Sequence, residues 1–232
     1  MNTRKRALLW LISLLAGSAV GVADSTWDRA VEIYEPNSKW KSGRTEIITI
    51  QSNRRGVTKS SERRLFKTIF LDGRSRTELE YAEKDGTDIT AAELENRSSD
   101  DQDDGGRDLS VIFPNPFDPS LQDSVQKSRI GDVSTAAGLS VIEYEFRVPI
   151  DEGQFFAGSV WLDPMTAVPL QIDATIEPLP RFAHFVRFVI EFSNDAERWY
   201  PVDLAIEAAG GALFVYRRVE STIRFSEHFR SP

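Results

Sequence analysis

The sequence predicts an α+β domain dominated by antiparallel β-sheet, and two observations carry that expectation. The first is alternation of apolar and polar residues through the C-terminal third, from Gly158 to Ser226. Val186, Phe188, Ile190 and Phe192 flank Arg187 and Glu191, and Val202, Leu204, Ile206 and Ala208 flank Asp203 and Glu207. Leu170, Ile172, Ala174 and Ile176 alternate with Gln171, Asp173 and Thr175, ahead of Glu177. Leu213, Val215, Val219, Ile223 and Phe225 stand against Arg218, Glu220 and Arg224. A period of two sends alternate side chains to opposite faces, so these strands build a sheet with one apolar and one wet face. The second observation is a helical stripe: Trp27, Ala30, Val31 and Tyr34 recur at the spacing of one helix face. A helix with that stripe is the natural cover for the apolar side of the sheet.

Before this helix comes a leader. Arg4-Lys5-Arg6 precedes an apolar run from Ala7 to Ala16 and then small residues to Ala23, the layout of a secretory signal peptide over residues 1–23. Cleavage is expected after Ala23, with Gly21 at the minus-three position, or alternatively after Gly21. The run is shorter than the roughly 18–20 residues of a spanning helix, which argues against an uncleaved anchor. Losing the leader removes three basic residues and no acid from a chain whose formal charge is already −8. So acidic a chain does not suggest nucleic-acid binding or a polybasic grip on anionic lipid. There is no cysteine, which excludes disulfides, thiolate metal sites and acylation at the cleavage site. The expectation is a periplasmic protein, exported and not lipid-anchored. Residues 24–232 suit a single domain burying about 70% of its unfolded surface.

Ser25-Thr26-Trp27-Asp28 reads as the helix start and Pro36-Asn37 as its end. Strands are expected over Thr45–Ser52 and Arg64–Asp72, with Asn53 to Arg64 as a loop between them. Asp72-Gly73 and Lys84-Asp85-Gly86 are turn signals, separated by a strand through Thr77, Leu79 and Tyr81. Thr90 and Glu93 have capping-box spacing for a short helix. It runs into an acidic stretch, 98–108, expected to be a mobile loop. A calcium-loop reading from Asp100 fails because its twelfth position is Val111 rather than Glu. Asp118-Pro119 looks like a cap and first helical residue. Ile142, Tyr144, Phe146 and Val148 share one side of a further strand.

Catalytic chemistry is hard to find. The only two histidines, His184 and His228, are unpaired in spacing, and no nucleophile elbow, phosphate loop, dinucleotide fingerprint or zinc-protease motif occurs. The carboxylates fall on the polar sides of strands. No enzyme activity, cofactor or metal is expected.

One stretch resembles a known family. Gly158-Ser159-Val160-Trp161-Leu162-Asp163-Pro164-Met165-Thr166-Ala167-Val168-Pro169 is similar to the hairpin of the outer-membrane lipoprotein-sorting proteins, of the LolA/LolB-like superfamily of periplasmic lipoprotein carriers. Ala167 stands where that hairpin usually has glycine, so its turn should differ slightly. Trp199-Tyr200-Pro201, Gly210-Gly211 and Glu83 to Thr90 continue the likeness, which covers about half of the chain beyond the leader. The resemblance implies a strongly curved antiparallel sheet, an unclosed β-barrel, with short helices on its concave face and an apolar cavity between them. The implied function is to bind and carry a lipid or lipoprotein acyl chain in the periplasm. An inner-membrane transporter or an outer-membrane acceptor would be its protein partners.

The expected lining is Trp27, Val31 and Tyr34 of the helix with Trp161, Leu170, Ile172, Val186, Phe188, Ile190, Phe192, Leu213 and Val215 of the sheet. The protein is expected to be a monomer. The alternatives are an envelope-stress or regulatory interaction module of the same fold and a small outer-membrane β-barrel. Arg217, on the apolar side of the last strand, counts against the barrel.

Overall fold

The computed structural model describes residues 24–71, 74–100, 114–134, 138–151, 153–193, 198–212 and 215–231, with main chain only at 71, 74, 97–100, 212 and 215. The expected leader, the Asp72-Gly73 turn and Leu213 lie outside these residues.

Helices α1 (Ser25–Glu32) and α2 (Tyr34–Ser38) come first, then β1 (Trp40–Lys41). Strands β2 (Arg44–Ser52), β3 (Thr58–Leu71), β4 (Arg74–Lys84) and β5 (Thr87–Asp88) form one meander, followed by α3 (Thr90–Asp100). A second meander contains β6 (Gln126–Ser134), β7 (Ser140–Asp151), β8 (Gln154–Leu162), β9 (Pro169–Glu177), β10 (Ala183–Phe192), β11 (Pro201–Ala212) and β12 (Val215–Ser226). The two meanders join where β12 pairs antiparallel with β2, giving one sheet of 11 strands in the order β5-β4-β3-β2-β12-β11-β10-β9-β8-β7-β6. A small separate ladder pairs β1 with β13 (Phe229–Arg230). Register shifts interrupt six of the main ladders. Each such bulge bends its strand and adds twist, so the sheet is curved, yet β5 and β6 remain its edges and no barrel closes.

Residues opposite one another across an antiparallel ladder share a face, and the registers trace that face strand by strand. One row runs Tyr144, Val160, Ile172, Ile190, Leu204, Ile223, Ile47, Arg64 and Ala82. The next runs Phe146, Gly158, Ala174, Phe188, Ile206, Ser221, Thr49, Glu62 and Lys84. Both rows are apolar across β7 to β11; the first turns polar at Arg64 of β3 and the second at Ser221 of β12. Among the described residues, the buried core cluster lies entirely between Trp27 and Ile223. Gly158 is required where it stands: a Cβ there would collide with the Asp173 carbonyl and the Ala174 main chain.

Several expectations need correction. The helix that opens at Ser25 stops earlier than Pro36, at Glu32, and Tyr34 and Pro36 fall in the separate short helix α2, where a proline in the first turn costs no hydrogen bond. The loop expected over 53–64 is only a tight turn at Asn53 to Val57, closed by the Asn53 side chain; Thr58 to Arg64 belong to β3. The helix α3 reaches Asp100, three residues into the stretch expected to be a loop; the rest of that acidic stretch lies outside the described residues. The capping box is also replaced. Asp88 accepts hydrogen bonds from the Thr90 N–H and hydroxyl at 2.8 and 2.6 Å, which frees Glu93 for another partner.

At the β8–β9 turn, Ala167 takes the left-handed conformation itself, with φ of 60°. Its N–H donates to the Asp163 carbonyl at 2.8 Å, while the Asp163 carboxylate accepts from Met165 N–H and from Thr166 N–H and hydroxyl. The alanine thus does what glycine would do, at a steric cost of about 1–2 kcal/mol.

Candidate functional site

Helix α1 is eight residues long, too short to persist without burying its stripe. Trp27 is fully buried, packed 4.8 Å from Phe117 and 5.4 Å from Tyr144 between ring centroids. Its indole N–H donates to the Gln122 side chain at 3.0 Å. Tyr144 donates to the Asp24 carboxylate, and burial, with that bond, pushes the phenol well above its ordinary range. Tyr34, Phe117 and Phe192 surround Trp199. This region is closed core, and it contains four of the expected lining residues or their immediate packing: Trp27, Ile172, Phe188 and Phe192 are all below 9% exposed.

Beyond that core the apolar face is only partly covered. Val31, Tyr34, Ile47, Ile176, Val186, Ile190 and Ile206 are half-buried against it. Here a third row of the face breaks. Val148, Phe156 and Ile176 align across β7, β8 and β9, and Val186, Ala208 and Val219 align across β10, β11 and β12. Ile176 and Val186 are not partners, however, because the β9–β10 ladder ends at Phe188 and Ala174. The Thr175 hydroxyl donates to the Val186 carbonyl at 2.7 Å, placing a side chain where the next rung would fall.

The strands diverge from that point and leave a cleft of about 460 Å³, within the range of small-molecule sites. Ile176 and Val186 line it from the helix-covered face, and Thr175, Phe185 and Arg187 from the other. Arg187 is bound to Asp173 through paired contacts, so its charge is already matched.

Across β12 the same face becomes polar. Thr49 and Ser221 hydroxyls lie 2.8 Å apart. Arg64 donates to both carboxylate oxygens of Glu93, at 2.7 and 3.2 Å, and contacts Glu62 at 2.9 Å. Lys84 also reaches Glu62, at 3.0 Å, and its hydrogen bond leads the causes that hold the Glu62 carboxyl below its ordinary range. Glu93 thereby ties α3 to β3. Sequence reading missed this group, although Glu62 and Arg64 keep the period-two phase of Phe66 and so share its face.

The remaining expected lining residues separate. Trp161 pairs with Glu143 and Gln171, which puts it on the face opposite Val160 and away from the helices. Leu170 is half-buried beside the β8–β9 register shift. Val215 begins β12 with its side chain outside the described set, and Leu213 lies outside it altogether.

The two histidines do not meet. His184 opens β10 beside Gly211, and His228 follows β12 beside Pro201, at opposite ends of β11 and so about 30 Å apart. No group of three potential metal ligands occurs among the described residues. His228 stacks on Tyr200 at 3.9 Å, and its burial lowers the imidazole pKa despite the bond to the Pro201 carbonyl. A histidine depressed in the folded state supports stability above its unfolded pKa of about 6.5 and withdraws that support as pH falls through the folded value. The thermal midpoint should therefore drop as pH falls below the unfolded value of about 6.5, and His228→Phe should flatten this part of the profile. Equal slopes for the two proteins would exclude His228 as the source.

No protein-family model and no curated protein sequence matches the chain. Among solved structures, the chain is similar to an outer membrane lipoprotein-sorting protein domain from Vibrio parahaemolyticus, at 15% identity and a TM-score of 0.41, covering 88% of this chain and 93% of that one. It is similar to a DUF1329 family protein from Desulfovibrio piger at 11% identity and a TM-score of 0.41, covering 89% and 92%. The Pseudomonas aeruginosa MucA/MucB complex matches at 11% identity and a TM-score of 0.25, covering 90% and 99%. With identities and scores this low, what those proteins bind does not transfer, and the fold stands on the registers described above.

Proposed function

We propose that this protein is a periplasmic binding or carrier protein for an acyl chain, held where β9 and β10 diverge and along the half-covered apolar face beside them. The observation that supports this most is the missing rung between Ile176 and Val186. A closed core would have paired these strands or filled the gap, whereas here aliphatic side chains border an opening of substantial volume. Of the polar groups in it, Thr175, Asp173 and Arg187 are already satisfied by the protein, and Glu177 and His184 stand at its rim. Recognition would be non-directional burial, at about 0.8 kcal/mol for each methylene removed from water. The face is apolar across β7 to β11 and gains a polar group from Thr49, Ser221, Glu62, Arg64 and Lys84 beyond them, which suits an amphiphile whose tail lies on the first part.

The test is to purify the protein from its native host after export, extract it with organic solvent and analyse the extract by lipid mass spectrometry. Acyl lipid near one equivalent is the expected result. A protein partner at one equivalent with no lipid would overturn the reading in favour of an interaction module.

A further inference from the structure

The cleft opens at one end of the sheet, where exposed apolar side chains stand beside exposed arginines. The registers Arg218 to Ser52, Arg217 to Gly210, Ala183 to Gly210 and Phe155 to Glu177 bring the β2–β3, β7–β8 and β9–β10 turns to this end. Val57, Ile150, Leu179, Phe182 and Phe185 are exposed there. Phe182 is 55% exposed with φ of 71°, a strained backbone for a bulky residue. Its loop rests on Gly210, where a Cβ would strike the Phe182 carbonyl, and Gly211 N–H donates to that carbonyl at 2.9 Å. The loop main chain is therefore held in place with the ring exposed. Four exposed arginines stand at the same level: Arg54, Arg55, Arg181 and Arg217. Among the described residues none of them has a carboxylate partner, and Arg181 lies 4.8 Å over the Phe182 ring. Asp85 and Asp151 are also at this end, and Glu177 faces Arg147 at 3.7 Å.

We propose that this end of the sheet docks on the surface of an anionic phospholipid bilayer. Leu179 and Phe185 border the mouth of the cleft, Phe182 projects between them, and Val57 and Ile150 stand at the ends of other strands, so the apolar contacts are spread across this end of the sheet, which suits a planar partner. Rings and aliphatic groups at the headgroup boundary, flanked by arginines that reach phosphates, match what an anionic interface accepts. The chain as a whole is acidic, with a formal charge of −8, so approach to such a surface is favoured through this end. Docking goes beyond the acyl-chain reading and does not depend on it, although it would place the mouth of the cleft against the bilayer.

The test uses chain 24–232 and sonicated vesicles of phosphatidylglycerol and phosphatidylethanolamine, with co-sedimentation as the readout. Partition is expected with these vesicles and should weaken in phosphatidylcholine or high salt. The pair Phe182→Asn and Ile150→Asn should reduce it by about tenfold or more, since asparagine tolerates the left-handed backbone at 182. Met165→Asn, at the opposite end, should leave it unchanged. No partition by the parent protein, or equal partition by the double variant, would overturn the proposal. If the double variant does not fold, Phe182→Cys carrying an environment-sensitive fluorophore decides instead, since the chain has no other cysteine: a blue shift of the label on adding vesicles supports docking, and no shift refutes it. Neither Phe182 nor Ile150 lines the cleft, so acyl-probe affinity measured without vesicles is a separate readout. Vesicle binding without probe binding would sink the proposed function and leave docking standing; the reverse would do the opposite.

Discussion

Trp27→Ala is expected to lower the unfolding free energy by about 3–5 kcal/mol, a large share of the roughly 5–15 kcal/mol of an ordinary domain. The size follows from how many elements meet on this one side chain. Its rings contact Phe117 of the segment before β6 and Tyr144 of β7, and its N–H holds Gln122. Truncation leaves a cavity at full burial, unpairs the Gln122 carbonyl and removes the contact that keeps so short a helix formed. Urea unfolding followed by circular dichroism measures the loss directly. A change below about 1 kcal/mol, the range of surface substitutions, would mean that α1 is peripheral and that the core closes without it.

Ile176→Glu is expected to do the reverse: spare the fold and remove binding. Ile176 is half-buried at the unpaired rung, where a carboxylate can reach water through the cleft. In the same place it would confront an acyl chain with a charge whose desolvation is costly. The affinity for a fluorescent fatty-acyl probe should fall by about tenfold or more, with a shift in the urea midpoint no larger than that of a surface change. Phe188→Ala gives the contrast. Phe188 is 4% exposed and lies 5.8 Å from Phe156, so its truncation should cost about 3–5 kcal/mol. If Ile176→Glu binds the probe as tightly as the parent, the cleft is not the site.

The alternation that named the sheet also named its apolar face correctly, because parity along a strand is a local property. Tyr144, Phe146, Val148, Phe188 and Leu204 are buried where the pattern put them. What parity could not say is which of those residues the helices cover. Ile172 and Phe188 share the apolar face with Val186 and Ile176, yet the first two are closed core and the others border the cleft. That difference depends on where the β9–β10 ladder stops, which no spacing reports. Trp161 shows a related limit: read as an aromatic in a suggestive motif, it falls on the opposite face because its phase is that of Ser159 rather than Val160. The polar part of the face was hidden for another reason. Arg64 and Glu62 looked like loop residues next to a polar turn, and only the length of β3 reveals that they point under α3. The charge distribution followed the same logic, since net charge is a sum, and the four arginines at one end of the sheet come from two distant turns and the start of β12.

The most direct test of the binding claim is to locate a bound chain on the protein. A stearate carrying a nitroxide near its methyl end should be titrated into isotopically labelled chain 24–232 and read by paramagnetic broadening of amide signals. Saturable binding should broaden the amides of 174–177 and 184–187 first, with the Trp27 and Tyr144 region nearly untouched. Broadening centred on the outer edge strand β6, or no saturable binding at all, would contradict the account.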